Sequence, residues 1–439
     1  MDKLMQKIKE KVDSAELFRL KNKTIPVNFE AGNLKSIDVS DYEGHALRVI
    51  KNKRIGFSTE SGGKDPDLFI EKAIATSEFG MKANFEFPLE IIRKNKNPLK
   101  IYDSKIKEKN ISEMITSGKE MIKRIKDFNK DLHCDVTILK HDNEIEYLNS
   151  WGANYIYKKS FLSCSMMVQK IDKEDILIMY SSIDSGKDNL ESKILTDDLL
   201  KKLKWGESIV EVRGKIMPVI FTPNAALVLL LPIISGLNGK NVLKKISPLS
   251  GKKGQKMWDN LFSLYSDGTI NYAPGSAPFD DEGIEMQKLP LIEGGEIKNF
   301  YYDLQTAGMA GKNSTGNGIR HGIQNAPTPG ISNLVLKEGN MSFSDMIKDI
   351  KEGIIVDQVL GLGQGNVISG AFSNNVQLGF KIENGKIKGR IKNVMIAGNA
   401  IEELKNVAAL GDKAKWVEGI YKLPHIYLKS LSVSTKKNE

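Results

Sequence analysis

Three consecutive carboxylates, Asp280, Asp281 and Glu282, form the densest group of potentially reactive side chains in the sequence. They lie in the segment SAPFDDEG, between proline and glycine. Adjacent carboxylates can bind a hard cation, or they can share a proton because like charges close together resist simultaneous ionisation. The alternative is a loop in which one aspartate forms an Asx turn or caps a strand. Both interpretations are open at this point.

A second candidate is His321, which follows a polar, glycine-rich segment that contains Ser314, Thr315 and Asn317. Such loops expose backbone amides and are common positions for binding residues. The sequence has 5 histidines, and none has another at i+3 or i+4, so local spacing predicts no metal site. One hypothesis is therefore an autonomous metal-dependent hydrolase that uses residues 280–282 together with His321.

Other catalytic patterns are absent from the sequence. There is no GxSxG elbow for a hydrolase serine and no GxxxxGK[ST] phosphate loop. The cysteines, Cys134 and Cys164, have no CxxC or Cys/His spacing, which indicates free structural thiols. From the residues alone, no self-sufficient catalytic constellation is visible.

Composition and charge exclude several classes of protein. A hydrophobic fraction of 40% and a charged fraction of 27% are ordinary for a globular chain. The net charge of +9 comes from lysines spread along the whole chain, so we expect no nucleic-acid-binding face. The apolar run at 225–234 has about half of the roughly 20 residues that a membrane span needs. No secretory signal is visible at the N-terminus, and we expect a cytoplasmic protein without a membrane segment.

The first half of the sequence, residues 1–214, is predicted to be an α+β domain. Helical periodicity occurs at 1–15, 69–79, 112–128 and 195–204. Alternating segments predict strands at 15–20, 24–29, 34–40, 45–50, 54–59, 135–140, 144–149, 153–168 and 175–182. Helix, strand, turn and strand follow in a similar order in two passages, which suggests an internal duplication.

The second half, residues 215–439, is predicted to be a glycine-rich, mainly antiparallel β domain with a barrel-like form. It opens with a strand at 217–221 and continues into the most apolar stretch of the chain, FTPNAALVLLLPIISGLNGK. Thr222 as N-cap and Pro223 as first helical residue predict a buried helix here, although Pro232 interrupts it. Helices are also expected at 344–352 and 400–407, with strands at 379–382, 386–390, 394–396 and 425–433.

Several short segments in fixed order resemble the TldD/PmbA family, members of which were also called modulators of DNA gyrase. These segments are VIFTP, PFDDEG, STGN, AGN and LSVS in the second half, with FEAGNLKS near the N-terminus. The resemblance covers essentially the full length. It implies either a zinc-dependent peptidase subunit of the TldD type or a metal-free partner of the TldE type.

The apolar helix distinguishes these two types. TldD-type members carry a HExxxH motif on this helix, and the corresponding positions here are Leu230, Leu231 and Ser235. No His-Glu dipeptide occurs in the sequence, and residues 415–425, where the family has a cysteine, contain none. A leucine can neither ligate zinc nor act as a general base. The sequence therefore resembles the TldE type.

What the resemblance implies is a non-catalytic subunit of a cytoplasmic heteromeric metalloprotease that processes peptides and unfolded segments. Such a subunit is inactive alone, binds no cofactor itself, and pairs with a zinc-bearing TldD-type subunit; a homodimer is a further alternative. We expect its groove or partner-facing loops to include Asp280, Asp281, Glu282, Ser314, Thr315, Asn317 and His321. A protein that binds gyrase or DNA is the alternative from another functional class.

Overall fold

The computed structural model describes residues 1–62, 65–90, 98–172, 175–189, 191–364 and 366–435. Its first part contains α1 (Asp2–Lys9), β1 (Ser14–Glu30), β2 (Asn33–Ser36), β3 (Ser40–Lys51), β4 (Arg54–Ser61), α2 (Pro66–Ser77), α3 (Ser104–Glu108), α4 (Ile111–Phe128), β5 (His133–Asn149), β6 (Asn154–Asp172), β7 (Asp175–Ser185) and α5 (Ser192–Trp205). The predicted helices and hairpins are present with changed ends, but the strands predicted at 15–20 and 24–29 are one strand, β1, because β3 and β5 pair with it through residues 20–24.

These strands form one antiparallel, 7-stranded sheet in the order β4-β3-β1-β5-β6-β7, with β2 added to β1. Apart from the short β2 and α3, the order helix, three strands, helix occurs twice, as α1, β1, β3, β4, α2 and as α4, β5, β6, β7, α5. The internal duplication stays a prediction. The predicted separate strands at 135–140 and 144–149 are a single strand. Asn143 pairs with both Asn22 and Lys159, so the ladder continues through the expected turn.

The longest helix of the first part, α4, shows how these elements pack. Asn110 caps it by accepting a hydrogen bond from the Ser112 amide, and its apolar positions then recur at helical spacing. Met121 and Ile125 lie in a buried cluster that also contains Cys134 and Cys164. Both cysteines are free, as predicted, and serve as small apolar side chains in this core.

The second part contains β8 (Lys215–Phe221), α6 (Leu227–Leu237), α7 (Gly239–Leu243), β9 (Leu264–Asp267), β10 (Lys288–Glu293), β11 (Glu296–Ile297), α8 (Leu304–Met309), β12 (Gly318–Ile319), β13 (Thr328–Pro329), β14 (Leu334–Leu336), α9 (Phe343–Asp349), β15 (Glu352–Val359), β16 (Ala371–Glu383), β17 (Lys386–Arg390), β18 (Val394–Asn399), α10 (Ala400–Glu403), β19 (Val407–Val417) and β20 (Tyr421–Thr435). Two short 3-10 helices lie at Val367–Ser369 and Leu404–Asn406.

Five of these strands close into a barrel. β8, β15, β16, β18 and β20 pair in this order, and β20 returns to β8. Only the β8–β15 pair is parallel within this ring. The prediction of an α+β protein with a mainly antiparallel, barrel-like second part is confirmed. The strands β15 and β19 were not predicted as separate elements.

The apolar helix begins later than the sequence suggested. Thr222 does not act as an N-cap, because its hydroxyl donates to the Asp357 carbonyl at 3.4 Å. A turn closed by the Ala226 amide and the Thr222 carbonyl comes first, and α6 starts at Leu227 with Ala226 as its N-cap. Pro232 lies inside α6, where it removes one backbone donor from the helix.

The strands of the first sheet lie within residues 14–185 and those of the second within 215–435. One buried cluster nevertheless includes side chains of both parts, such as Met179 and Phe380. The boundary between residues 214 and 215 therefore stays a prediction. Within the described ranges, no helix has both the length and the apolar character that a membrane crossing requires.

Candidate functional site

Helix α6 carries the three positions at which the resemblance places a metal motif. Leu230 is fully buried in the cluster that includes Phe221 and Ile426 of the barrel. Leu231 is half-buried and packs against the same cluster. Both leucines therefore serve as packing groups between α6 and the barrel.

The third position, Ser235, lies in the last turn of α6. The Asn241 side chain donates to the Ser235 carbonyl at 2.9 Å and to its hydroxyl at 3.3 Å. The Tyr301 hydroxyl donates to the neighbouring Ile234 carbonyl at 3.1 Å. The carbonyl groups at the end of a helix need such partners, so Ser235 belongs to the termination of the helix.

The side chains at these positions do not fit a zinc ion. Protein zinc sites use Cys, His, Asp or Glu, and neither leucine carries a donor atom. The hydroxyl of Ser235 is already bonded to Asn241. In the part of the chain that the structure describes, no group of three or more His, Cys, Asp and Glu residues could hold a metal ion.

The first member of the acidic segment, Asp280, faces the interior. Its Oδ1 accepts hydrogen bonds from the amides of Glu282 at 3.0 Å and Ile284 at 2.9 Å, which forms the Asx turn considered above. Its Oδ2 accepts a bond from the Gly318 amide at 2.8 Å. Burial and the charge of Glu282 raise the pKa of Asp280 well above its usual range, while these amides oppose the shift.

The acidic segment and the segment with Ser314, Thr315 and Asn317 lie side by side. The Asp281 amide donates to the Gly318 carbonyl at 2.9 Å, and the Asp281 carboxylate accepts from the Arg320 amide at 2.7 Å. Thr315 donates to Asn317 Oδ1 at 2.8 Å. Ser314, Thr315 and Asp281 are half-buried, whereas Asp280 and Asn317 are buried.

Asn317 joins its loop to Gly330 and to β9. Its Nδ2 donates to the Gly330 carbonyl at 2.8 Å and to Ser266 Oγ at 3.1 Å, all in buried surroundings. We expect Asn317→Ala to lower the free energy of unfolding by about 1–3 kcal/mol, because buried polar groups lose their donor. Urea unfolding followed by circular dichroism measures this change.

The matched control is Asn325→Ala, which removes an exposed amide that donates to the His321 carbonyl. We expect that substitution to change the free energy of unfolding by less than about 0.5 kcal/mol, as is usual on the surface. Equal stabilities of the two alanine variants would show that the Asn317 bonds are not needed to hold the loops.

His321 is exposed, whereas Asp280 and Glu282 are buried and already bonded within the protein. An autonomous hydrolase that used residues 280–282 and His321 would need the two buried carboxylates at a surface that substrate can reach. The arrangement of these residues therefore favours a structural function for Asp280 and Glu282. Their assignment to a groove or partner-facing surface stays a prediction.

Glu282 belongs to a buried ionic network that joins the acidic loop to the first sheet. Arg48 of β3 donates to Glu282 Oε1 at 2.8 Å, and its Nε lies 2.9 Å from Glu16 Oε1 of β1. Arg320 reaches the same Glu16 oxygen at 2.7 Å. The second Glu282 oxygen accepts the Leu304 amide at 2.6 Å. These four charged side chains are at most 3% exposed.

In this network, the neighbouring charges outweigh the effect of burial on the pKa of Arg48 but not on that of Glu282. Burial opposes ionisation of Arg48, but Glu16 and Glu282 outweigh it and raise the pKa of the guanidinium. Burial raises the pKa of Glu282 to about 7 in spite of Arg48. The network was not predicted; its signal in the sequence is Glu16, a charged residue on the same strand face as the apolar Phe18 and Leu20.

Two parts of the chain match described protein domains. Residues 213–435 match the PmbA/TldA metallopeptidase C-terminal domain, and residues 15–77 match the PmbA/TldA metallopeptidase domain 1. The fold and these matches define a homologue of metallopeptidases. The chain belongs to the PmbA/TldD family, as its motifs had suggested.

Individual relatives agree with this assignment. An uncharacterized protein of Methanocaldococcus jannaschii is 27% identical over 413 residues, which cover 90% of this chain and 91% of that protein. A metalloprotease TldD homolog of Haemophilus influenzae is 32% identical over 214 residues, 48% of this chain and 44% of its own length. The crystal structure of TldE from Thermococcus kodakarensis has a TM-score of 0.91 at 23% identity and covers 99% of both chains, so the two share a fold.

Proposed function

We propose that this protein is the metal-free, non-catalytic subunit of a heteromeric metalloprotease of the TldD/TldE type. The observation that carries the proposal is the set of side chains on α6: Leu230, Leu231 and Ser235 stand where the resemblance places His, Glu and His. Leucine side chains supply neither a zinc ligand nor a general base. The zinc and the catalytic base then come from a TldD-type partner.

In this role the protein contributes wall and groove surface to an assembly that acts on peptides or unfolded segments in the cytoplasm. Of the predicted partner-facing residues, Asp281, Ser314 and Thr315 are half-buried and His321 is exposed. The ionic network behind them fixes their loops to the first sheet. A rigid loop is suited to a permanent contact, because little conformational entropy is lost when the partner binds.

The test is reconstitution with a TldD-type chain from the same source. We expect the isolated protein to bind no stoichiometric zinc and to leave a fluorogenic unstructured peptide intact. A mixture with the partner should form a stable complex on size-exclusion chromatography and cleave the peptide. Replacing the glutamate of the partner's HExxxH motif should abolish cleavage without dissolving the complex.

Two measurements would contradict the proposal. The first is one tightly bound zinc per isolated chain together with peptidase activity, which would support the autonomous hydrolase. The second is a failure to form a complex with the TldD-type chain. Salt-dependent DNA binding by the isolated protein would instead support the gyrase or DNA-associated alternative.

A further inference from the structure

A cavity of about 470 Å³ lies between the first sheet and the barrel. β7 and α5 border it on one side, and β19, α9 and the turn after β8 border it on the other. None of the α6 positions 230, 231 and 235 lines it. Its volume is in the range of about 300–1,000 Å³ that is typical of small-ligand sites.

Apolar and aromatic side chains form most of the walls. They include Ile183, Leu195, Trp205, Phe343, Trp416 and Val417. The ring of His425 stacks on Phe343 with centroids 4.2 Å apart. Burial and the nearby lysines lower the pKa of His425 to about 3, so this ring is uncharged at neutral pH. The cavity therefore suits a ligand with an apolar body.

Four charged groups at the cavity are paired with one another. Lys202 Nζ lies 2.8 Å from Asp198 and 3.0 Å from Asp357, both through a carboxylate oxygen. Lys415 lies 3.2 Å from the same Asp198. Two cations and two anions are thus balanced within the wall. This group leaves no net charge to attract a ligand.

Lys201 is different, because its neighbours are aromatic. Its ammonium lies 4.6 Å from the centroid of Trp205 and 5.3 Å from that of Phe343. Among the described residues, no carboxylate forms an ion pair with this ammonium, although the charge of Asp198 acts on it from farther away. Cation–π contact leaves the charge free to bind an anion. The cavity thus combines apolar and aromatic walls with the Lys201 ammonium; Asp412 and Lys413, which also line it, are exposed.

One sheet edge also borders the cavity. In the described sheets, β7 pairs only with β6, and its Ser181 and Ser182 line the cavity. The edge of β19 is already occupied, because the Asp412 amide donates to the Met341 carbonyl at 3.1 Å and the Ala414 amide donates to Glu338 at 2.9 Å. A strand edge offers main-chain donors and acceptors to an extended peptide of any sequence. A peptide backbone can therefore be held beside the pocket.

We propose that this cavity binds an extended peptide, with an apolar side chain among the aromatic walls and a carboxylate on Lys201. The carboxylate is either the C-terminus of the peptide or an acidic side chain, which share this chemistry. This site is separate from the proposed role as a protease subunit. It rests on that proposed function only for choosing a peptide as the class of ligand. It concerns the isolated protein and does not require zinc or a partner.

The experiment titrates the full-length protein with three peptides by isothermal calorimetry, with tryptophan fluorescence as a second readout of Trp205 and Trp416. The probes are acetyl-Gly-Gly-Leu with a free carboxylate, the same peptide as its C-terminal amide, and acetyl-Gly-Glu-Leu amide. We expect at least one carboxylate peptide to bind about tenfold more tightly than acetyl-Gly-Gly-Leu amide, since a charge-assisted bond is lost in the amide. The peptide that gains affinity identifies the source of the carboxylate.

Lys201→Gln should lower the affinity for the carboxylate peptide about tenfold and leave the affinity for the amide peptide unchanged. Lys204→Gln is the matched control, because Lys204 is exposed on the same helix and does not line the cavity. Three results would each overturn the proposal. The first is an equal affinity for the acid and the amide peptide, and the second is an equal affinity of Lys201→Gln and the unmodified protein for the carboxylate peptide. The third is no saturable binding of any probe at millimolar concentration. Reconstituted peptidase activity is measured separately, so its failure is distinguishable from a failure here.

Discussion

Arg48→Met is expected to lower the free energy of unfolding by about 3–5 kcal/mol, as is typical when one partner of a buried ion pair is removed. Arg48 bridges Glu16 and Glu282, whose side chains are 0% exposed. Without the guanidinium, two carboxylates remain buried with one fewer cation. Methionine keeps an apolar contact with Phe85 and Phe87, whose ring centroids lie 4.8 and 5.2 Å from the guanidinium carbon. Urea unfolding curves measure the loss.

Arg19→Met is the matched control for this prediction. Arg19 also has carboxylate partners, Glu43, Glu144 and Glu146, but its side chain is 20% exposed. We expect a loss of about 0–1 kcal/mol, because solvent screens such pairs. Adding Glu282→Gln to Arg48→Met should recover part of the loss, since it removes one uncompensated charge. A loss as small in Arg48→Met as in Arg19→Met would mean that the network does not hold the loop to the sheet.

The regular parts of the fold were accessible from the sequence because their signals are local. Apolar alternation and turn residues located the hairpins of the first sheet, and the caps and periodicity of α4 located that helix. The strand at 133–149 was divided in two because Asp142 and Asn143 favour turns. Pairing on both sides overrides that preference, since a central strand gains hydrogen bonds along both edges.

The candidate site was harder to predict from the sequence because its contacts join residues that are far apart in the chain. Arg48 and Glu282 are separated by 234 residues in the sequence, and neither position has a spacing pattern that predicts the other. The acidic triplet suggested a cation site, whereas the fold gives each carboxylate a protein partner. The absence of metal ligands on α6 was visible in the sequence, but only after the resemblance had identified the three positions. Local physics alone described α6 as a buried helix.

Lys202→Met is expected to lower the free energy of unfolding by about 3–5 kcal/mol at neutral pH, because it removes one partner of a buried ion pair. Lys202 is 7% exposed and Asp357 is 1% exposed, with 3.0 Å between Nζ and Oδ2. Asp198 keeps Lys415 as a partner at 3.2 Å, so the substitution leaves Asp357 as the buried carboxylate without a cation. Lys204→Met, on the exposed side of α5, should change stability by less than about 0.5 kcal/mol.

The loss of stability in Lys202→Met should also become smaller as the pH falls, which a packing defect alone does not produce. A buried carboxylate without a cation is protonated more readily than the same group in the unfolded chain. The folded variant then binds more protons than the unfolded variant, so its free energy of unfolding, relative to that of the native protein, rises as the pH falls. His425 destabilises both proteins on acidification, because burial and the nearby lysines lower its pKa to about 3 and the unfolded chain therefore binds the proton first; this loss is common to the variant and the native protein.

Unfolding curves at about pH 8 and about pH 5 should therefore show a smaller difference between Lys202→Met and the native protein at the lower pH, by at least about 1 kcal/mol. A difference that is the same at both values would assign the loss to packing of the lysine methylene groups. A carboxylate that had found Lys201 or Lys415 as a new cation would stay ionised at both values, and the loss would then be small as well as independent of pH.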